Sequence, residues 1–507
     1  MMTTNSHLSE VLAPPDPPGP IKWARDNLFS PWYNTVLTLV SVVFLYFVLS
    51  AIFRWVFGTA DWTAVTQSPL LYAIGQYPRE EMWRVGAALS LLFLLVGLSW
   101  GNWGGMLRSI AIGSGAFFLI LAILPITHDQ LDMNMRLYLG GTALLVLVGY
   151  FVGRLSAVKD LYIIMGWLLS PVVMITLISG VEDPVALTRT GTYLLLLMIG
   201  LTSGKLPNSW RYIPIFLGGA VIAFSLFTIT SGGGTALAVY YFMIGAMLLV
   251  GYLVGRLEVI EWSHIILGWI LSAFVFVNFL PNFDLSQALP SIRTTAWGGL
   301  LVTFILAAGG IILSFPIGLA LALGRRSSLP VVSAFSTVFI EAIRGVPLVT
   351  ILFMFSIILA LFLPEETRLD RLLRALMAVT VFSAAYTAEN VRGGLQAVPP
   401  GQIEAAKALG MNGFQTMTFI VLPQAIRTVL PAIVGQFISL FKDTTLVVIV
   451  GINDFLGIGR SIINSTPEFV QLQLEVYAFI AVVYMIFSYL MSMASRRLET
   501  RLGVADR

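Results

Sequence analysis

The sequence predicts an all-α polytopic membrane protein of about 14 transmembrane helices, four tandem helix hairpins preceding a five-helix C-terminal core. Three observations carry that prediction. Hydrophobic residues make up 57% of the 507-residue chain and charged residues only 11%, with a mean hydropathy of +0.88. Soluble domains carry roughly 25% charged residues, so most of this surface must face lipid or other apolar helices. Apolar runs near the length that crosses a bilayer recur along the chain. Arginine and lysine gather in alternate loops, as the positive-inside rule requires.

Composition also excludes whole classes of chemistry. The chain has no cysteine, which removes disulfides, thiolate metal sites and cysteine nucleophiles. His7, His128 and His264 lie far apart in the sequence, so no metal centre is expected. A net charge of +3 reads as membrane-flanking lysine and arginine, and no nucleic-acid partner is expected. The stretch from Gly200 to Leu206 resembles a P-loop, but it has three residues between its glycines and leucine where Ser or Thr is needed. No catalytic residue and no cofactor are expected in this chain.

The elements follow in order. Residues 1–33 are a cytoplasmic tail and an interfacial segment. They hold Pro14-Pro15-Asp16-Pro17-Pro18 and then Lys22, Trp23 and Arg25, with no signal-peptide h-region or cleavage site. The first span is 34–57, and 58–83 is an external loop. Residues 84–283 form an internal repeat. Val148 to Leu155 (VGYFVGRL) recurs as Val250 to Leu257 (VGYLVGRL), and Gly166-Trp167 recurs as Gly268-Trp269. Half that period holds too: Gly97/Gly101, Gly149/Gly153, Gly200/Gly204 and Gly251/Gly255 are four GxxxG pairs 51 or 52 residues apart. Each pair is followed by a second apolar run, giving four two-helix units. Such glycines let helices approach closely in lipid. Packing of each hairpin on the next is the plain reading, and a lateral protein interface or a bound lipid or pigment is the sharper one.

Five further runs fill the region 290–497: 298–323, 334–363, 371–393, about 424–450 and 474–495. Breaks or re-entrant turns are expected near Gly345-Val346-Pro347 and from Thr444 to Gly451. Between the third and fourth runs lies a polar break, 399–423. Pro399-Pro400 ends the preceding helix. Gln402 to Leu409 can form a short helix with Ala405, Ala408 and Leu409 along one side, and Gly410 supplies a left-handed stop.

The spaced pattern Glu404-Ala405-Ala406, Leu409-Gly410 and Ile420-Val421-Leu422-Pro423 resembles the cytoplasmic EAA loop of bacterial ABC-importer permeases. Phe339 to Leu348, Tyr386 to Leu395 and Phe441 to Leu446 are similar to the polar amino-acid permeases of that family. Trp23-Ala24-Arg25, Asn34 to Thr38, Tyr77-Pro78 and Trp83-Arg84-Val85 resemble its general L-amino-acid branch. The repeat is longer than that branch leads one to expect, so the resemblance assigns it no role. A cytoplasmic EAA loop places Gly324-Arg325-Arg326 inside and, counting back, the N-terminus inside as well. Arg108, Arg154, Lys159, Lys205, Arg211 and Arg256 then fall inside, as do Arg496, Arg497 and Arg501 in and before the C-terminal tail 498–507.

The resemblance implies a non-enzymatic permease subunit in the bacterial inner membrane, multi-pass, with both ends cytoplasmic. It implies an ABC ATPase dimer that binds ATP and Mg, a second permease subunit (homologous or identical), an extracytoplasmic amino-acid-binding protein, an amino-acid substrate and the lipid bilayer. Glu404, Ala405, Ala406, Leu409, Gly410, Ile420, Leu422 and Pro423 would couple to the ATPase. An ATP-independent secondary transporter, or a scaffold built on the hairpins, are the competing classes.

Charges and amides within spans are functional candidates by default. Gln436 and Asp443 lie seven residues apart on one helical face and, with Lys442 beside Asp443, can line a substrate pathway; alternatively Lys442 and Asp443 pair with each other or with a neighbouring helix. Tyr386 and Glu389 are further pathway candidates. Glu341 with Arg344, and Glu389 with Arg392, sit three residues apart near cytoplasmic ends and read as ion pairs or gate contacts.

Overall fold

The computed structural model describes residues 19–104, 106–123, 133–155, 160–180, 184–205, 212–230, 235–256, five positions between 265 and 272, 290–362 and 369–501. The three histidines, the tail to residue 18, Lys159, Arg211, the loop before Pro290 and residues 502–507 lie outside them, as does most of the second run of the fourth hairpin. The described residues are overwhelmingly helical, and the only β-pairings among them are two isolated bridges, Gly75 with Trp297 and Gly299 with Asp454.

Helix α1 (Pro20–Ala24) leads into α2 (Trp32–Arg54), which runs on through a π-turn to Thr59. No residue of α2 is buried, as an apolar helix standing in lipid requires. The expected external loop is not bare loop: it carries α3 (Thr63–Thr66) and α4 (Pro69–Ile74), whose Ala64 and Tyr72 are buried against the C-terminal core.

The repeat follows as α5 (Met82–Trp103), α6 (Met106–Ile123), α7 (Met133–Gly153), α8 (Asp160–Ser179), α9 (Pro184–Lys205), α10 (Tyr212–Thr230) and α11 (Thr235–Gly255). The GxxxG pairs meet one another. A Cβ added at Gly97 would lie 2.2 Å from the Val146 carbonyl oxygen, and one at Gly149 2.5 Å from that of Leu94. The second set repeats this, with Gly200 against Leu248 and Gly251 against Leu197, at 2.4 and 2.3 Å. Thus α5 crosses α7 and α9 crosses α11, backbone against backbone. Among the described residues the close packing is of hairpin one with two and of three with four. A side-chain bond repeats with the crossing: Trp167 Nε1 donates to Ser99 Oγ at 2.9 Å, and Trp269 Nε1 to Thr202 Oγ1 at 3.0 Å.

The core comprises α12 (Gly299–Arg325), α13 (Pro330–Arg344), α14 (Leu348–Phe353, prolonged to Phe362), α15 (Arg371–Ala397), α16 (Pro400–Ala408), α17 (Leu422–Asp443), α18 (Phe455–Ile463) and α19 (Gln473–Arg501). Helix α15 is central. Its Ser383, Ala384, Ala385, Thr387 and Ala388 are all buried, and such small side chains let α12 and α17 close on it. The run expected over 334–363 is broken. Gly345 and Pro347 separate α13 from α14, which diverge by 108°, because proline has no amide hydrogen to continue the helix. The stretch Thr444–Val450 is likewise a 3₁₀ segment, stopped at Gly451.

The first lobe is joined to the core near the start of α5 and the end of α8. Tyr77 Oη donates to the Ile178 carbonyl at 2.8 Å, and the Ile292 amide to that of Ser179 at 2.8 Å. The fully buried Arg84 donates to the Pro290 carbonyl at 2.7 Å and pairs with Glu81 at 2.8 Å. Burial pushes the Tyr77 hydroxyl up to about 12, so it stays a donor.

Among the described residues seven helices are long and apolar enough to cross a membrane, or eight if the bent pair α13–α14 is one span. Four further apolar stretches, in α6, α9, α10 and α11, are shorter within those residues. The polytopic all-α class stands, but the described residues do not reach the expected count of 14 spans.

Candidate functional site

Helix α16 forms where the sequence places it, with Pro400 in its first turn and Gly410 beyond it at φ +78°. An L side chain in that left-handed region costs about 1 kcal/mol or more. One side of the helix turns toward the protein and the other stays open. Ala406 is buried, whereas Glu404, Ala405, Lys407 and Ala408 are exposed and Leu409 is 82% exposed. The face bearing Ala405, Ala408 and Leu409 is therefore the free one, because Ile403 and Ala406 take the side toward the protein.

The loop end is tied to α17. Met411 N–H donates to the Ala406 carbonyl at 3.1 Å. Asn412 and Gln415 then form a reciprocal capping box, 2.9 and 3.0 Å. This box starts Gly413–Gln415 and a π-turn, Thr416–Val421, that runs straight into α17. Ile420 and Leu422 are half-buried at that junction, and Pro423 lies in the first turn of α17, where a missing amide hydrogen costs nothing.

The charged candidates converge, with different partners than expected. Glu341 pairs with Arg325 of α12 at 2.9 Å, and Arg344 with Glu389 at 3.6 Å; they do not pair with each other. Glu389 does bind Arg392, whose Nε donates at 2.9 Å, and it also receives Arg325 at 3.4 Å. Three guanidinium groups thus share one carboxylate across α12, α13 and α15. The Arg344 guanidinium lies 5.5 Å over the Tyr386 ring. Sequence reasoning missed Arg325, because the partner is remote in the chain and no local spacing marks it.

Gln436 does not reach toward Asp443. Its Nε2 donates to the Ser383 carbonyl at 2.7 Å and to the Ser383 and Thr387 hydroxyls at 3.0 and 3.2 Å; Oε1 accepts from Asn390 at 2.8 Å. The amide is fully occupied in joining α17 to α15. Lys442 is exposed and Asp443 half-buried; they form no ion pair with each other, and neither has one among the described residues. A second polar residue went unnoticed in the sequence: Asp454, fully buried, caps α18 through Gly457 N–H at 2.8 Å and accepts from Tyr484 Oη at 3.3 Å.

Fold and site together define a multi-pass helical membrane protein whose exposed loop helix is joined by a tight turn and a capping box to the start of one helix of its bundle. The chain belongs to the family described as binding-protein-dependent transport system inner membrane component, which matches residues 314–504. It is 47% identical over 215 residues to the inner membrane amino-acid ABC transporter permease protein YhdY of Escherichia coli K12, covering 42% of this chain and 58% of that protein. It is 43% identical over 218 residues to the glutamate/glutamine/aspartate/asparagine transport system permease protein BztC of Rhodobacter capsulatus, covering 43% and 50%. The probable glutamine ABC transporter permease protein GlnP of Bacillus subtilis is 39% identical over 206 residues, 40% of this chain and 92% of that protein. The chain thus spans little more than half the length of the first two.

Proposed function

We propose that this chain is the membrane-spanning permease subunit of an ATP-driven importer that moves amino acids into the cell by alternating access. It performs no bond chemistry. The observation that carries the reading is α16: a short helix with an exposed apolar face, tied by a turn and a capping box to the start of a core helix, in a chain of this family. The relatives' own names, which speak of amino acids, support the substrate class. The partners follow from that reading: two ATPase subunits holding ATP and Mg, a second permease of the same or a homologous kind, and an external binding protein that delivers the amino acid. Both termini would then lie in the cytoplasm of a bacterial inner-membrane protein.

The geometry supplies a path for force. Movement of an ATPase subunit against Ala405, Ala408 and Leu409 displaces α16. The capping box and the short π-turn leave little slack before α17. Gln436 then carries the displacement to α15 through four hydrogen bonds, and α15 holds Glu389. The ion cluster at Arg325, Glu341, Arg344, Glu389 and Arg392 would act as the cytoplasmic gate, since surface-accessible ion pairs exchange partners at little net cost.

Pull-down of the detergent-solubilised complex, wild type against Gly410→Asp, tests the reading. Loss of an ABC ATPase from the variant with retention of a partner permease is the expected result. A wild-type complex without any ATPase overturns it and turns attention to the hairpin repeat.

A further inference from the structure

The first lobe carries a cleft that the import reading leaves unused. Its volume is about 590 Å³, and Trp100, Asn102, Trp103, Arg108, Tyr150 and Arg154 line it where α5, α6 and α7 meet. The glycine crossing creates it. With Gly101 and Gly153 holding the two backbones together, the larger side chains at that end are displaced to the rim. Trp100 lies 4.1 Å from the Tyr150 ring, and Arg154 donates to Tyr150 Oη at 3.1 Å while its guanidinium stands 5.8 Å over the same ring. A carboxylate at its edge, Asp160, is engaged by Asn102 and by Trp103 Nε1, at 2.6 and 2.8 Å. Arg108 and Arg154 form no ion pair among the described residues. Two guanidinium groups therefore open on one aromatic-walled cleft without a carboxylate of their own.

Its position in the bundle narrows the ligand. Met82 and Val85, in the first turn of α5, share a buried cluster with Trp297 and Val302 at the start of α12. The two helices thus begin at one end of the bundle, and Trp103 lies toward the end where α12 finishes at Arg325 and α16 projects. Tryptophan and tyrosine gather at the membrane interface, and basic pockets between helices there suit anionic headgroups. Guanidinium groups match phosphate oxygens in a bidentate way. We infer that this cleft binds the phosphate headgroup of an anionic phospholipid, on the membrane face that carries the α16 helix. The second lobe repeats part of it: Arg256 donates to Tyr252 Oη at 3.2 Å. Ser203 and Leu206 replace Trp100 and Trp103 there, so only the first lobe has the complete aromatic wall.

The test is lipid retention by the full chain, read by native mass spectrometry and phosphorus analysis, and independent of transport. The protein is exchanged into nanodiscs of phosphatidylcholine doped with phosphatidylglycerol or cardiolipin. Wild type is expected to retain anionic lipid at least tenfold over its share in the disc. Arg108→Gln/Arg154→Gln is expected to lose that enrichment, while Arg54→Gln, an exposed arginine outside the cleft, keeps it. Equal retention of phosphatidylcholine by wild type, or unchanged enrichment in the double variant, overturns the inference. Displacement of the lipid by millimolar inorganic phosphate overturns the lipid as the ligand and makes the cleft a site for a soluble phosphate. Both substituted arginines are exposed, and an unaltered thermal transition of the double variant establishes that it is folded.

Discussion

The hairpin lobes and the C-terminal core solve the same problem, holding helices together in lipid, by opposite means. In the lobes, glycines bring backbones into direct contact at the crossings. In the core, amides, hydroxyls and ion pairs bridge α12, α13, α15 and α17. Backbone contact has one geometry, whereas side-chain bonds have alternatives. The lobes are therefore built to stay fixed, and the core to change partners. The proposed permease role needs both, and this chain keeps them in separate stretches of sequence.

The largest effect expected from breaking that contrast is at a crossing. Gly149→Leu drives a side chain into the Leu94 carbonyl and should destabilise the first lobe by about 3 kcal/mol or more. A fall in the thermal transition of the detergent-solubilised protein, with ATPase association retained, is the expected pattern; an unchanged transition would show that the crossing is not what holds α5 to α7. In the core, Glu389→Gln leaves three arginines without their shared carboxylate. A loss of about 2 kcal/mol is expected, with a larger loss of coupled transport, measured as substrate-stimulated ATPase activity in proteoliposomes. Gln436→Ala should cost about 1.5 kcal/mol and loosen α17 from α15, which cross-linking between cysteines introduced in the two helices would register.

The most gradual effect is a pH dependence, spread over about two pH units. Burial pushes the Asp454 carboxyl up to about 6, against the Gly457 and Leu456 amides and Tyr484, which lower it. With its folded-state value above the ordinary one, the folded protein binds the extra proton between about pH 4 and pH 6. This contribution is then fully present below pH 4 and is lost as the pH rises through 6, by at most about 1.4 kcal/mol per pH unit. Asp454→Asn should abolish that difference. Parallel wild-type and variant stability curves over the window would show that Asp454 does not titrate there.

Much of this was legible in the sequence, for identifiable reasons. Span length, the GxxxG period and the loop helix rest on local chemistry: apolar runs, absent side chains, proline and glycine at helix ends. The interruption at Gly345-Val346-Pro347 was legible in the same way. What local spacing could not give was partner choice. Glu341 and Arg344 have the spacing of an ion pair, yet each finds a better-placed partner on another helix. Gln436 and Asp443 share a face in sequence, but Ser383, Thr387 and Asn390 occupy the amide. That Ala406 is the residue of α16 turned to the protein was not legible either, since spacing within a short helix does not say which side is covered. The grouping of hairpin one with two and of three with four was likewise not legible, since the period alone does not say which glycines meet.

The joint between the first lobe and the core lies near the start of α5, at Tyr77, Arg84 and the segment around Ile292. A helix of the length of α5 reaches about 33 Å. A tilt of about 5° about that joint would carry its far end through about 3 Å. The lobe is thus a lever arm with its fulcrum on one membrane face and its tip on the other.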